Sequence, residues 1–83
     1  MIVETINEPA KVRADFRGGV ITPLAFKRKD RTFRIKRVHA RWMDREGRLR
    51  QHCFSVETDE GVFELTFNAD DMTWRIARVY LDG

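Results

Sequence analysis

Two histidines, one cysteine, two acidic pairs and several arginine-rich stretches are the residues of this 83-residue chain whose types could do chemistry. His52-Cys53 has the types of a base and a nucleophile. Neighbours on an extended strand point to opposite faces, however, so the two cannot hydrogen-bond directly, and Cys53 is expected to be a buried structural thiol. A hairpin register described below sets His39 opposite His52; without a third ligand of matching type, two imidazoles do not make a metal site, and no metal or cofactor is expected. Asp59-Glu60 and Asp70-Asp71 could pair carboxylates for acid-base work, but they fall in turn-forming stretches, where such residues hydrogen-bond the local backbone. Nucleophile-elbow, phosphate-loop and His-Glu-x-x-His motifs are absent, and the chain is expected not to be an enzyme.

The cations carry more information. Lysine and arginine outnumber acids 16 to 13, a net +3 that names no partner by itself. Along the chain the charge is polarised: −2 over residues 1–10, +10 over 11–50 and −5 over 51–83. Two clusters stand out, Lys27, Arg28, Lys29 and Arg31 around one turn, and Arg41, Arg45, Arg48 and Arg50 around the next. Guanidinium forks bind phosphate bidentately and aromatics stack on bases, so Trp42 beside the second cluster points to nucleic acid, DNA or RNA.

These residues must be positioned by strands. Val12, Ala14 and Phe16 alternate with Arg13 and Asp15, and Phe63, Leu65 and Phe67 alternate with Glu64 and Thr66, a period of two. The pattern predicts a mostly β, single small domain spanning 1–83: an antiparallel meander of about six strands, over 11–16, 22–27, 32–43, 49–58, 62–68 and 73–80. Residues 1–8 are read as a flexible or exchanged segment. The expected form is a strongly bent sheet or a small, partly open SH3-like barrel.

Two-residue turns at Lys29-Asp30, Arg45-Glu46 and Asp59-Glu60, with a loop over 69–72, set the registers. They place Leu24, Phe26, Phe33, Ile35, Phe54, Val56, Phe63, Leu65, Phe67, Trp74 and Ile76 on one core face. The same registers set Arg34 opposite Glu57, Lys36 opposite Ser55 and Arg41 opposite Arg50. The last is a like-charge cross-strand pair that destabilises a sheet by roughly 0.2–1 kcal/mol, so either the register is wrong there or an anion sits between the two. After Ile35 the apolar parity switches to Val38, Ala40 and Trp42. Either a bulge near Lys36-Arg37 re-aims the strand and takes Trp42 into the core, or Trp42 and Leu49 belong to an exposed patch ringed by arginines. Such a patch would suit a protein partner or a second copy of the chain.

Length allows one domain at roughly 100–200 residues each. The single cysteine excludes an internal disulfide and suits a reducing cytoplasm. No run approaches the roughly 18 apolar residues of a membrane span, so no membrane partner is expected.

Read in order, Asn7-Glu8-Pro9, Pro23-Leu24-Ala25-Phe26, Thr32 to Val38 followed by Trp42, Phe54 to Glu57, Phe63-Glu64-Leu65 and Trp74 to Tyr80 form a series of landmarks. The chain resembles a family of small uncharacterised bacterial β-rich proteins with the order Glu-Pro, Pro-x-x-Phe, Arg-Val-x-x-x-Trp, Tyr-Glu-Leu and Trp-x-x-x-Arg-Val-Tyr. The resemblance spans residues 7–81. Some members are associated with error-prone, lesion-bypassing DNA polymerases, which implies a DNA-repair or DNA-replication context and no catalytic residues. Lys29-Asp30-Arg31 stands where the family has Arg-Gly-Arg, and an aromatic usual near Leu49-Arg50 is replaced, which weakens stacking there. The expected function is a small binding module that captures nucleic acid through Lys27, Arg28, Lys29, Arg31, Arg41, Arg45, Arg48 and Arg50. The alternative is a protein-interaction or homo-oligomerisation module that uses Trp42 and Leu49.

Overall fold

A computed structural model describes residues 1–46 and 49–82, with Glu46 and Leu49 described by their backbone alone. Seven strands follow one another: β1 (Ile2–Arg17), β2 (Val20–Arg28), β3 (Arg31–Arg34), β4 (Arg37–Glu46), β5 (Leu49–Thr58), β6 (Gly61–Asn68) and β7 (Thr73–Leu81). They form one antiparallel sheet in the order β3-β2-β1-β7-β6-β5-β4, curled strongly into a half-barrel. The mostly-β, single-domain expectation holds.

Two stretches make the curl. Residues 2–10 of β1 pair with β7, whereas residues 11–17 pair with β2, so one long strand serves both halves of the sheet. The second is the stretch expected as a single strand over 32–43. It breaks at Ile35-Lys36: the Ile35 amide donates to the Leu24 carbonyl at 3.0 Å, and the next amide, of Lys36, donates to the Glu57 carbonyl at 2.8 Å. The chain thus changes partner from β2 to β5 within two residues, the re-aiming anticipated near Lys36-Arg37, and six expected strands become seven. The segment at 1–8 read as flexible or exchanged lies, from Ile2 on, in β1 against β7 of the same chain.

The inner face closes on aromatic rings. Phe26 and Phe33 stack at 5.1 Å, and Phe63 meets both edge-on at 5.0 and 5.3 Å, joining the two halves of the sheet. Phe54, Val56, Leu65, Phe67, Ile76 and Val79 complete the buried cluster. The registers Phe26 to Phe33, Val56 to Phe63, Phe54 to Leu65 and Phe67 to Trp74 are those the turns predict.

Bulges account for the departures. Arg13 pairs with Ala25 but Ala14 pairs with Pro23, so Leu24 is the extra residue; it is 46% exposed rather than core, while Pro23, which has no N–H to offer a ladder, is buried. On β7 the extra residue is Ala77, which carries the inward parity from Ile76 to Val79, a core residue the alternation does not predict. At the β5–β6 tip, Gly61 has φ 143°, and a Cβ there would stand 2.9 Å from the Tyr80 carbonyl oxygen, so only glycine lets β7 approach.

Candidate nucleic-acid interface

With Val12 and Phe26 facing the core, alternation turns Lys11, Arg13 and Lys27 to the outer face of β1 and β2. The register extends this face across three strands. Lys11 lies directly opposite Lys27, which lies opposite Thr32; Arg13 lies opposite Ala25, which lies opposite Arg34. All four cations are exposed, and among the described residues none is in a salt bridge. Ala25 and Thr32 keep the middle of the face low, leaving an open hollow of about 500 Å³ bordered by Lys11, Arg13, Lys27 and Thr32. Lys29 stands at the adjoining hairpin tip with φ 51°, followed by Asp30 with φ 61°. Two positive-φ central residues make the turn that matches strand twist, here without the glycine or asparagine usual for it.

The first predicted cluster therefore divides. Arg28 is tied to Glu8 at 3.2 Å, and Arg31 to Glu60 at 2.6 Å with its guanidinium 5.1 Å from the centre of the Phe33 ring. Those two cations clamp the fold. Lys27 and Lys29 remain open and join Lys11, Arg13 and Arg34.

The second cluster is rearranged by a shifted register. The β4–β5 ladder runs on to Glu46 opposite Leu49, past the expected turn, and a bulge at His39 takes one residue of that offset back toward the corner. Arg41 consequently lies opposite Phe54, not Arg50, and its guanidinium reaches across to β2, donating to the Ile21 carbonyl at 3.3 Å and the Thr22 hydroxyl at 3.4 Å. A like-charge pair exists further along β4: Arg45 lies opposite Arg50, both exposed and outside any salt bridge among the described residues. Arg48 lies outside the described residues, as does the Leu49 side chain. Trp42 is 40% exposed, opposite Cys53 on the outer face, so of the two alternatives for it the exposed one holds although the strand is re-aimed at the corner. Arg34 stays with β2, and Arg37 takes the place opposite Glu57; Lys36 pairs with Asp59 at 3.1 Å rather than facing Ser55.

The shift also separates the histidines. His39 shares a 2.8 Å hydrogen bond with Glu57, whereas His52 lies opposite Met43, its ring 6.1 Å from that of Phe67. Cys53 is buried beneath the outer face, and its pKa is pushed up to about 11, first by burial and then by the carboxylates of Asp44 and Glu64. It is a poor nucleophile there. The acidic pairs serve structure. Asp59 and Glu60 hold Lys36 and Arg31, the Glu60 amide donates to the Thr58 hydroxyl, and Asp71 accepts from the Thr73 amide at 3.2 Å.

Lys11, Arg13 and Arg34 escaped the sequence-based site. The first two were legible, since Lys11-x-Arg13 alternates with Val12 and Ala14. Arg34 was assigned to Glu57 by a register that ignored the corner. No helix among the described residues is long and apolar enough to cross a membrane. Comparison with protein-family models, curated proteins and solved structures finds no match to this chain.

Proposed function

We propose that this chain is a nucleic-acid-binding module that holds a sugar-phosphate backbone on the outer face of β1, β2 and β3. One observation carries the reading: Lys11 sits directly opposite Lys27 with no carboxylate among the described residues in a salt bridge to either. Like charges in that relation destabilise a sheet by roughly 0.2–1 kcal/mol, and a phosphate between them reverses the sign. Arg13 and Arg34 flank the pair, and Lys29 extends it at the tip. The open row Lys11, Arg13, Lys27, Thr32, Ala25 and Arg34 contains no aromatic ring, so contact there is to the backbone and is insensitive to base sequence. The DNA-linked role implied by the family resemblance points the same way.

The test is binding to short duplex and single-stranded oligonucleotides across a salt series. Four phosphate contacts give a log–log slope of about −3 to −4 on duplex. Lys11→Glu/Lys27→Glu should weaken binding and flatten that slope, while Arg45→Glu/Arg50→Glu should leave most of it. No binding at low salt ends the reading. The reverse ranking of the two double variants moves the interface to the β4–β5 hairpin.

A further inference from the structure

The half-barrel has an open seam. Beyond the corner at Ile35-Lys36, β2 and β4 diverge. Residues 20–23 of β2 pair with β1 only, and β4 pairs with β5 only, so two strand edges face each other with backbone groups unpaired. They are bridged by a side chain, Arg41 to Ile21 and Thr22, and not by the backbone ladder of strands about 4.8 Å apart. Between them lies an open hollow of about 270 Å³ whose lining includes Val20, Ile21, Met43, His52 and Phe54.

Its chemistry specifies an occupant. Along β4 one face presents Arg41, Met43 and Arg45, with Arg50 opposite Arg45, while the other presents Trp42, 40% exposed, and Asp44. Met43 and Val20 are each about half exposed, at 50% and 51%. A free edge offers main-chain hydrogen bonds to an extended segment, and alternating faces select its side chains. We infer that the seam is a strand-addition site for an acidic, extended peptide of another protein. Such a peptide pairs with the β4 edge, sets carboxylates against Arg41 and Arg45, and lays apolar side chains beside Trp42. On binding, Arg41 exchanges the neutral oxygens of Ile21 and Thr22 for a carboxylate, a stronger, charge-assisted bond. This surface is separate from the basic row on β1, β2 and β3 and stands or falls independently of it.

The experiment is titration of the isotopically labelled protein with a blocked peptide of about eight residues alternating glutamate with valine, followed by amide chemical shifts. The expected result is saturable binding, with perturbations concentrated on residues 20–24 and 37–46. Methylating alternate peptide amides, which removes the ladder donors, should weaken binding by at least about tenfold, as should Arg41→Gln/Arg45→Gln in a protein that remains folded. A lysine–valine peptide should not bind. Equal affinity for the methylated peptide, perturbations centred on Lys11 and Lys27, or no binding to the folded protein would each overturn the assignment. So would sedimentation showing that β4 already pairs with a second copy.

Discussion

The outer faces of β5–β7 and of β1–β3 cover opposite sides of one aromatic core, and they solve the problem of charge differently. On β5–β7, Glu64 is met by Arg78 at 3.3 Å and Glu57 by His39, while Arg75 donates to the Asn7 carbonyl at 2.7 Å and so holds the β1 bulge. That face is closed upon itself. On β1–β3, Lys11, Arg13, Lys27 and Arg34 stand in register, and among the described residues none of the four is in a salt bridge. Surface ion pairs contribute little to stability, so the difference between the faces carries little weight in folding. A neutralised face has nothing left to offer an anion.

The largest perturbation removes what the two faces share. Leu65→Ala, at a fully buried position, should cost about 2–5 kcal/mol by urea denaturation, which in a domain this small approaches global unfolding. Trp42→Ala, by contrast, should leave the fold intact with a loss well under half as large.

A smaller effect separates the faces by pH. The Cys53 thiol, under the β5–β7 side, has its pKa raised from 9.0 to about 11. A raised folded-state value means that the unfolded chain sheds its proton first. Stability from this group is therefore fully present below pH 9 and is lost as pH rises toward 11. Cys53→Ala should flatten that part of a stability–pH profile, and the wild-type thiol should react slowly with a disulfide reagent at pH 8 until denaturant is added.

The smallest effect has the sharpest sign. Lys27→Glu places a carboxylate opposite Lys11 and should raise stability by about 0.2–1 kcal/mol while weakening oligonucleotide binding. A variant that becomes both more stable and less able to bind would show that the basic face is maintained against folding. Loss of both together would make it structural.

Three local hairpins were legible in the sequence; the β4–β5 hairpin, whose ladder runs past the expected Arg45-Glu46 turn, and the long-range joins were not. Turn chemistry and period-two patterning place Phe26 against Phe33, Val56 against Phe63 and Phe67 against Trp74, because those partners are close along the chain. The first half of β1 pairs with β7, at the far end of the sequence, and its register with β7 is broken by a bulge at Asn7, which takes φ 50°. Nothing local announces such a strand. The bulges at Leu24, His39 and Ala77 each shift parity by one residue, which is how Leu24 was assigned to the core and Val79 missed. Half of the basic site was visible for the same reason. Lys27 and Lys29 belong to a local turn, while Arg34 depended on knowing where the chain leaves β2 for β5.

The strand order has a kinetic meaning. The first and last strands, β1 and β7, are neighbours in the middle of the sheet, with Ile2 opposite Leu81. During synthesis the wing β3-β2-β1 and the meander β6-β5-β4 are complete before β7, the strip that joins them, has emerged. Until then the two halves meet through side chains, such as the Phe63 and Phe16–Phe67 ring contacts and the Arg31–Glu60 pair, and through the corner at Ile35-Lys36, and each keeps an unpaired strand edge. Folding of this domain is thus expected to end in a late, non-local zipping step whose rate follows contact order, and the nascent chain is most vulnerable to misassociation just before it.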